Sequence, residues 1–336
     1  MFLEKHWQRI TLITLTLIPL TLIFWLAQAL RRRLFELKVF KSTKCSIPVI
    51  VVGNLYVGGT GKTPTVIWLA DALRSDGFSP GIVSRGYLGR KSNQEVLTDS
   101  DPRDVGDEAV LIKRRTQCPT WVSPNRPEAC AQLLKSHPDI DVIISDDGLQ
   151  HYQLQRDVEV AVIDPERAFG NKLLLPSGPL REPISRLKKS DLAIINGSGN
   201  IALSEELQIP TFDMRLIGDR FRSLGSRDSV RSASEFEGKN ITAIAGIGNP
   251  NRFFDSLEKL GLSFQQRSLP DHYPLSEEFI RSIKSEIILM TEKDAVKLSG
   301  IQDARCWYLP VSATLAPGCF ENIKKTIEKN YGCKTS

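Results

Sequence analysis

The chain has 336 residues, 41% of them hydrophobic and 25% charged, a globular composition with room for two domains or for one large domain and an appendage. Its net charge of +5 is concentrated at the N-terminus, where residues 1–45 carry +6 while the remainder carries −1, so nucleic acid is not an expected partner. The six cysteines show no CxxC pair and no metal-ligand spacing, which favours scattered free thiols in a reducing compartment.

The N-terminus contains 21 consecutive residues without a charge, residues 10–30. As a helix this stretch would be about 31 Å long, enough to cross a bilayer, and the arginines 31–33 would place its C-terminal end in the cytoplasm. We predict a membrane anchor over residues 1–33 and, over residues 34–47, a basic segment that lies on an anionic membrane surface. Two alternatives are a secretory signal cleaved near residues 27–29 and a helix lying flat in the membrane interface, since threonines dilute its hydrophobicity.

The next element is a short β-branched run, Val49–Val52, which predicts a buried strand. A glycine-rich turn and then a helical pattern follow, an arrangement that can hold phosphate between backbone N–H groups and a helix N-terminus. The lysine of the turn can reach the β- and γ-phosphates, and the threonine after it can ligate Mg²⁺. The glycine spacing is a tighter variant of the usual phosphate loop, and an ordinary turn beside an incidental lysine is the alternative. The predicted nucleotide-binding residues here are Val57, Gly58, Gly59, Thr60, Gly61, Lys62, Thr63 and Pro64.

Polar residues follow the next two predicted elements. The strand Gly81–Ser84 leads into a flexible loop with Arg85 and Tyr87, which fits a ligand-binding loop and a plain turn equally well. Asp107 and Glu108 open a helix, and two acidic residues at a helix N-terminus are favoured by the helix dipole alone. From the residues alone, capping is therefore the favoured interpretation of both acids.

A buried strand ends in Asp146, Asp147 and Gly148, about 80 residues after the phosphate loop. An aspartate at the C-terminal end of such a strand is typical of a Walker B site, where it faces Mg²⁺ beside the phosphates. An Asp-Gly β-turn is the alternative, but the phosphate loop upstream favours the metal site. Gln150 and His151 follow in the same loop.

Further strands predict the fold class. Val158–Ile163 and Leu192–Ile195 are apolar runs, and a proline-rich loop between them presents Arg181, whose planar guanidinium could hold phosphate oxygens. Five or six strands alternating with helices predict an α/β fold like that of P-loop NTPases, with a doubly wound, mostly parallel sheet over residues 48–202.

The C-terminal part predicts a second, smaller α/β lobe over residues 239–336, after a linker over residues 203–238 where the apolar pattern weakens. The turn Gly246–Pro250 lacks the third glycine of a dinucleotide fingerprint, and Thr291–Lys297 has its lysine displaced by one from a guanine-reading motif. His272 stands alone in a loop, and such a histidine is more often structural than catalytic.

Seven motifs stand in order along the chain, namely Val57–Pro64, Ser84–Tyr87, Gly106–Glu108, Asp146–His151, Leu175–Pro183, Asp271–Tyr273 and Thr291–Lys297. Together with the N-terminal anchor they resemble the tetraacyldisaccharide 4′-kinase family of lipid A biosynthesis. The resemblance extends from the anchor to about residue 311 and is specific, because all seven motifs occur in the family's order.

The resemblance implies a kinase that transfers the γ-phosphate of ATP, with Mg²⁺ as cofactor, to the 4′-hydroxyl of a tetraacylated glucosamine disaccharide 1-phosphate. It implies an active site between two lobes of a monomeric enzyme, attached to the bacterial inner membrane with both lobes on the cytoplasmic face. The residue roles that it implies are Asp107 as catalytic base with His272 as its partner and Lys62 at the transferred phosphate, Asp146, Asp147 and Thr63 at the metal, Gln150 at the nucleotide, and Arg85, Tyr87, Glu108, Arg181 and Glu182 at the lipid substrate.

Two other functions fit parts of the pattern. A membrane-tethered ATPase switch acting on a protein or metal partner shares the phosphate loop, but that class usually has a lysine where Val57 stands, and its ATP turnover would not respond to lipid disaccharide. A non-enzymatic nucleotide-binding scaffold would be favoured if Lys62→Ala left product formation at the wild-type level.

Overall fold

The computed structural model describes residues 3–197, 207–225, 229–298 and 300–331. The expected domain boundary between residues 202 and 203, and the cysteine at position 333, lie outside these residues. Within the described residues the chain forms two β-sheets, each packed against helices.

The first part of the chain contains α1 (Leu12–Thr16), α2 (Ile18–Glu36), β1 (Val49–Gly53), α3 (Lys62–Ser75), β2 (Pro80–Ser84), β3 (Gln94–Glu95), α4 (Pro102–Val105), α5 (Asp107–Thr116), β4 (Thr120–Val122), α6 (Arg126–Ser136), β5 (Val142–Asp146), β6 (Val158–Ile163) and β7 (Leu192–Asn196). The second part contains β8 (Thr211–Ile217), β9 (Arg220–Ser223), β10 (Val230–Ser232), β11 (Ile241–Ala245), α7 (Pro250–Lys259), β12 (Gln265–Ser268), α8 (Glu277–Ser282), β13 (Ile287–Thr291), α9 (Glu292–Lys297), β14 (Cys306–Leu309), β15 (Ser312–Leu315) and α10 (Cys319–Tyr331).

The larger sheet has nine strands in the order β15-β8-β7-β6-β1-β5-β2-β4-β3. The strands from β8 to β4 in this order are parallel to their neighbours, and the edge strands β15 and β3 are antiparallel. In β1, Val49 and Val51 pack on one face with α6, while Ile50 and Val52 pack on the other with α3. A strand buried on both faces needs apolar residues throughout, which explains the continuous β-branched run in the sequence. The predicted mixed α/β fold with a large parallel sheet is confirmed.

The smaller sheet has six strands in the order β10-β9-β14-β13-β11-β12. The strands β11 to β14 are parallel to their neighbours, and β9 and β10 extend the sheet in antiparallel fashion. Its core has an aromatic centre in which Phe236 packs edge-on against Phe221 and Trp307. This sheet forms the second lobe, and its helix α9 packs against α5 of the larger lobe.

The strand order crosses the predicted domain boundaries. Strand β8, from the range expected to be a linker, and β15 with α10, from the range expected to be the second lobe, belong to the larger sheet and its core. Strands β9 and β10, from the same expected linker, belong to the smaller sheet. These strands are only partly buried, and apolar and polar residues are mixed along them. Their sequences therefore lack the continuous apolar run that marks a central strand.

The predicted N-terminal helix is present as α1 and α2, which lie against the larger lobe. Thr21 Oγ1 donates to Ser177 Oγ at 2.7 Å, and Lys189 pairs with Glu36 at 2.8 Å. The apolar side chains of α2 are largely exposed, and none of its residues is fully buried. Among the described residues, no helix combines the length and the apolar character needed to cross a membrane. The predicted membrane crossing is not confirmed.

Candidate active site

The predicted phosphate loop joins β1, the central strand of the larger sheet, to α3. Gly58 and Gly61 have φ angles of 109° and 104°, a left-handed conformation that favours glycine and lets the loop turn into the helix N-terminus. Asn54 Nδ2 donates to Thr60 Oγ1 at 2.9 Å, and Asn196 Nδ2 donates to the Thr60 carbonyl at 3.0 Å. These two asparagines, one directly after β1 and one at the end of β7, hold the loop in place at the N-terminus of α3, where an anion is favoured.

Lys62 is the first residue of α3 and is buried. Its Nζ lies 3.6 Å from Asp147 Oδ1, and Arg181 Nη1 donates to both carboxylate oxygens of Asp147 at 2.9 Å. Burial alone would raise the pKa of Asp147, but the Lys62 and Arg181 cations hold it well below its usual range. Asp147 is therefore ionised and keeps two cations beside the phosphate loop.

The other acidic residue of the predicted metal site, Asp146, ends β5 next to β1. Its Oδ2 accepts a hydrogen bond from Ser84 Oγ at 3.1 Å, whereas its buried Oδ1 has no hydrogen-bond partner among the described residues. Burial, and the charges of Glu108 and Asp147, raise the pKa of Asp146 to about 7. In the part of the chain that the structure describes, no group of three or more His, Cys, Asp or Glu side chains is arranged to hold a metal.

Asp107 and His272 meet across the two lobes. Asp107 is the first residue of α5, and His272 lies in the loop after β12, 165 residues further along the chain. His272 Nδ1 lies 3.1 Å and 3.0 Å from the two carboxylate oxygens, and the His272 and Asp107 side chains are 14% and 8% exposed. Burial alone would raise the pKa of Asp107, but the hydrogen bond from His272 and the neighbouring ammonium groups lower it to about 2. Helix capping, favoured from the sequence, does not account for this buried pairing with an imidazole.

Two lysines of α9 balance the charge of this pair. Lys293 Nζ lies 3.0 Å from Glu108 Oε1 and 3.2 Å from His272 Nε2, and Lys297 Nζ lies 3.8 Å from Asp107 Oδ2. Sequence reasoning assigned no role to either lysine. Their spacing of four residues, which places both on one face of a helix, is the signal that could have identified them.

Three of the predicted substrate residues lie on the side of the larger lobe that carries the carboxylate–imidazole pair. The Tyr87 ring packs edge-on against the His272 ring, with centroids 5.2 Å apart, and is otherwise open to solvent. Glu108 reaches the pair through Lys293. Arg85 is exposed just after β2, at the same C-terminal edge of the parallel sheet as the end of β5.

Glu182 and Gln150 belong to a buried polar cluster under the site. Glu182 is 3% exposed and accepts hydrogen bonds from Gln150 Nε2 at 3.2 Å and from the Tyr152 hydroxyl. Gln150 Nε2 also donates to the Asn54 carbonyl at 3.1 Å, and its Oε1 accepts from Arg181 Nη1 at 3.3 Å. This cluster connects the phosphate loop, the loop after β5 and the proline-rich loop.

The turn that opens α7 lies directly on the phosphate loop. A methyl group at Gly248 would lie 2.3 Å from the backbone nitrogen of Gly59, so this approach requires glycine. The Arg167 guanidinium donates to the Gly248 carbonyl, and Arg252 Nη2 donates to Asp164 Oδ1 at 3.0 Å. The lobes are therefore closed on one another both here and at the carboxylate–imidazole pair. The sequence of this turn resembles only an incomplete dinucleotide fingerprint, so no local signal predicted its contact with the phosphate loop.

The fold and this geometry describe a two-lobed α/β protein in which the second lobe brings an imidazole to a carboxylate near the predicted phosphate loop, an arrangement suited to phosphoryl transfer to an alcohol. The sequence model of the family described as tetraacyldisaccharide-1-P 4′-kinase matches residues 13–328. The chain belongs to this family, as the seven motifs predicted.

Individual relatives agree with the family match. The chain is 45% identical over 323 residues to the tetraacyldisaccharide 4′-kinase of Methylobacillus flagellatus, covering 96% of this chain and 94% of the relative. It is 43% identical over 334 residues to that of Pasteurella multocida, covering 96% and 100%. Among solved structures it is similar to the "apo" form of LpxK from Aquifex aeolicus in complex with ATP, with a TM-score of 0.77 and 26% identity, covering 95% of this chain and 99% of that chain.

Proposed function

We propose that this chain is an ATP-dependent lipid kinase that phosphorylates the 4′-hydroxyl of a tetraacylated glucosamine disaccharide 1-phosphate, in lipid A biosynthesis. Its family membership supports the reaction. The observation that carries the site is the pairing of Asp107 with His272 at 3.0 Å, formed where the second lobe closes on the phosphate-loop lobe.

Asp107 acts as the base. It accepts the proton of the 4′-hydroxyl as the bond from the 4′-oxygen to the γ-phosphorus forms and the bond from the γ-phosphorus to the β–γ bridging oxygen of ATP breaks, so that ADP leaves. A pKa of about 2 makes Asp107 a weak base in the closed site, but the negative charge of a γ-phosphate beside it would raise that pKa. His272 holds the carboxylate through Nδ1, and Lys62 neutralises charge on the transferred group.

The residues present fit Mg²⁺. Asp146 has a buried carboxylate oxygen that receives no hydrogen bond from the described residues, and the Thr63 hydroxyl belongs to the first turn of α3. We propose that Asp146 and Thr63 hold the ion, which when bound neutralises phosphate charge. Asp147, also predicted at the metal, already forms ion pairs with Lys62 and Arg181. Its proposed contribution is therefore to position these two cations.

The sugar end of the lipid is proposed to lie at Tyr87 and Glu108, which adjoin the carboxylate–imidazole pair. Arg85, which is exposed nearby, and Arg181 are suited to its polar or phosphate groups. Glu182 is too buried for an open surface, so its proposed role is to hold the Gln150 amide that supports Arg181.

The enzyme is proposed to work as a monomer on the cytoplasmic face of the bacterial inner membrane, with α2 lying flat in the interface. The apolar side chains Leu20, Ile23 and Leu30 are more than half exposed, and arginines 31–33 follow them on the same helix. Such a helix places apolar side chains among lipid headgroups and its arginines on anionic lipid. Because the acylated substrate is held at the same membrane surface, confinement there raises the effective concentration of enzyme and substrate relative to one another.

Incubation with labelled ATP, Mg²⁺ and micelles of the acylated disaccharide 1-phosphate tests the reaction. We expect label at the 4′-position of the lipid. Lys62→Ala should lower the rate of this transfer about 100-fold or more and leave the circular dichroism spectrum unchanged. ATP hydrolysis that is the same with and without the lipid would contradict the proposal and favour the ATPase switch.

Vesicle flotation tests the membrane surface. Replacement of arginines 31–33 by glutamine should weaken binding to phosphatidylglycerol vesicles and leave the weak binding to phosphatidylcholine vesicles unchanged. Equal binding of both proteins to both vesicles would contradict an anionic contact.

A further inference from the structure

Lys293 lies among three acceptors at the junction of the lobes. Its Nζ lies 3.0 Å from Glu108 Oε1, 3.2 Å from Asp271 Oδ1 and 3.2 Å from His272 Nε2, and its side chain is 14% exposed. Burial alone would lower the pKa of Lys293, but the surrounding carboxylates outweigh burial and raise it above its usual value. The side chain is therefore a charged ammonium, which has three donors and no acceptor.

This ammonium restricts the imidazole of His272. Because Lys293 can only donate, His272 Nε2 must accept, and a nitrogen that accepts a hydrogen bond carries no proton. The ring proton of neutral histidine is then on Nδ1, which lies 3.0 Å from Asp107 Oδ2 and can donate to it. A doubly protonated ring has two donors and no acceptor, so it would lose the contact with Lys293.

We propose that Lys293 is a positioning residue that fixes His272 as the Nδ1–H tautomer, so that the imidazole donates to Asp107 and leaves this carboxylate free to take the proton of the sugar hydroxyl. The inference rests on the proposed function of the Asp107–His272 pair, and it assigns Lys293 a part in that pair that is separate from substrate or nucleotide binding.

A competing acceptor makes the proposal testable. Asp271 Oδ1 lies 3.7 Å from His272 Nε2, beyond hydrogen-bond distance, while it accepts from Lys293. Without the ammonium, a proton on Nε2 could be donated to Asp271 instead. The lone pair of Nδ1 would then face the Asp107 carboxylate, and the hydrogen bond that holds the base would be lost.

The test reads the tautomer directly by ¹⁵N NMR of histidine-labelled full-length protein. The chain has four histidines, and the His272 signals are assigned by their disappearance in His272→Gln. The wild-type ring should show protonated Nδ1 and unprotonated Nε2, and Lys293→Met should shift the ring towards the Nε2–H form. Lys293→Arg, which retains a cationic donor, should keep the Nδ1–H form.

Kinetics and a matched lysine complete the test. Lys293→Met should lower kcat about 10- to 100-fold and leave the KM for ATP nearly unchanged, with partial rescue in Lys293→Arg. Lys297→Met removes a cation from the same helix that lies near Asp107 but does not contact the imidazole nitrogens, so it should leave the tautomer of His272 unchanged.

A wild-type ring that carries its proton on Nε2 would overturn the proposal without any variant. A proton that persists on Nδ1 in a folded Lys293→Met protein, whether the ring is neutral or doubly protonated, would overturn it as well. Failure of the underlying function looks different: Asp107→Asn and His272→Gln would then retain wild-type kcat, whatever the tautomer.

Discussion

A methyl group at Gly248 tests whether the closed contact between the lobes is needed for catalysis. Its Cβ would lie 2.3 Å from the nitrogen and 3.1 Å from the Cα of Gly59, and ordinary contact begins near 3.4 Å. Both obstructing atoms are backbone, so no side chain can rotate away and the two loops must separate by about 1 Å. Gly248 does not have a left-handed φ, so alanine adds no backbone strain that would confuse the result.

The same displacement would act on the carboxylate–imidazole pair. If the second lobe moves as a body, the separation of His272 Nδ1 and Asp107, now 3.0 Å, increases to about 4 Å and the hydrogen bond is lost. A misplacement of about 1 Å at a catalytic group can cost about 100-fold, so we expect kcat of Gly248→Ala to fall by roughly that factor.

The assay is the initial rate of phosphate transfer to the lipid, with unfolding in urea followed by tryptophan fluorescence. Gly225→Ala is the matched control, because its Cβ meets the 303–304 backbone of the same lobe at ordinary distances of 3.4–3.5 Å, and it should keep wild-type rates. Wild-type kcat and KM for a folded Gly248→Ala protein would refute the reasoning, since the lobes would then work without this contact.

Three further predictions concern buried charges. Asp107→Asn should lower kcat by about 100- to 10,000-fold with little change in the KM for ATP, and the opposite pattern in steady-state kinetics would return Asp107 to helix capping. Because the pKa of Asp107 is lowered from 3.8 to about 2 on folding, its ionised form stabilises the protein at neutral pH and this contribution is lost as pH falls from about 4 to about 2. The difference in unfolding free energy between wild type and Asp107→Asn should shrink over that range, and a constant difference would contradict the shift. Arg126 is fully buried and donates to the Ser123 and Asp146 carbonyls at 3.0 Å and 2.7 Å. Arg126→Met should lower the free energy of unfolding in urea by about 3–5 kcal/mol, and adding Asp146→Asn should recover part of this loss. If Arg126→Met lowers the free energy of unfolding by less than about 1 kcal/mol, then neither the two carbonyls nor the Asp146 carboxylate depends on Arg126.

Local patterns in the sequence were sufficient for the phosphate loop and the central strands. The run Val49–Val52, the glycines after it and Lys62 are contiguous, so periodicity and turn chemistry identify them without knowledge of the fold. The same holds for the strand that ends at Asp146. The partly buried strand β8 was interpreted as part of a linker. Polar residues interrupt the apolar ones along a strand that is not buried on both faces, so its sequence resembles that of a linker.

The amino-acid sequence was sufficient for the elements whose signals lie within a few residues of one another, and for the motifs by which the family is identified. The residues alone favoured capping for Asp107 and a structural role for His272, and only the resemblance to a family joined the two. The tertiary structure decided that they lie 3.0 Å apart, that Lys293 contacts the imidazole, and that Gly248 lies on the phosphate loop. Each of these contacts joins segments more than 20 residues apart, most of them on different lobes, and depends on how the lobes close, which no local pattern of hydrophobicity or turn residues encodes.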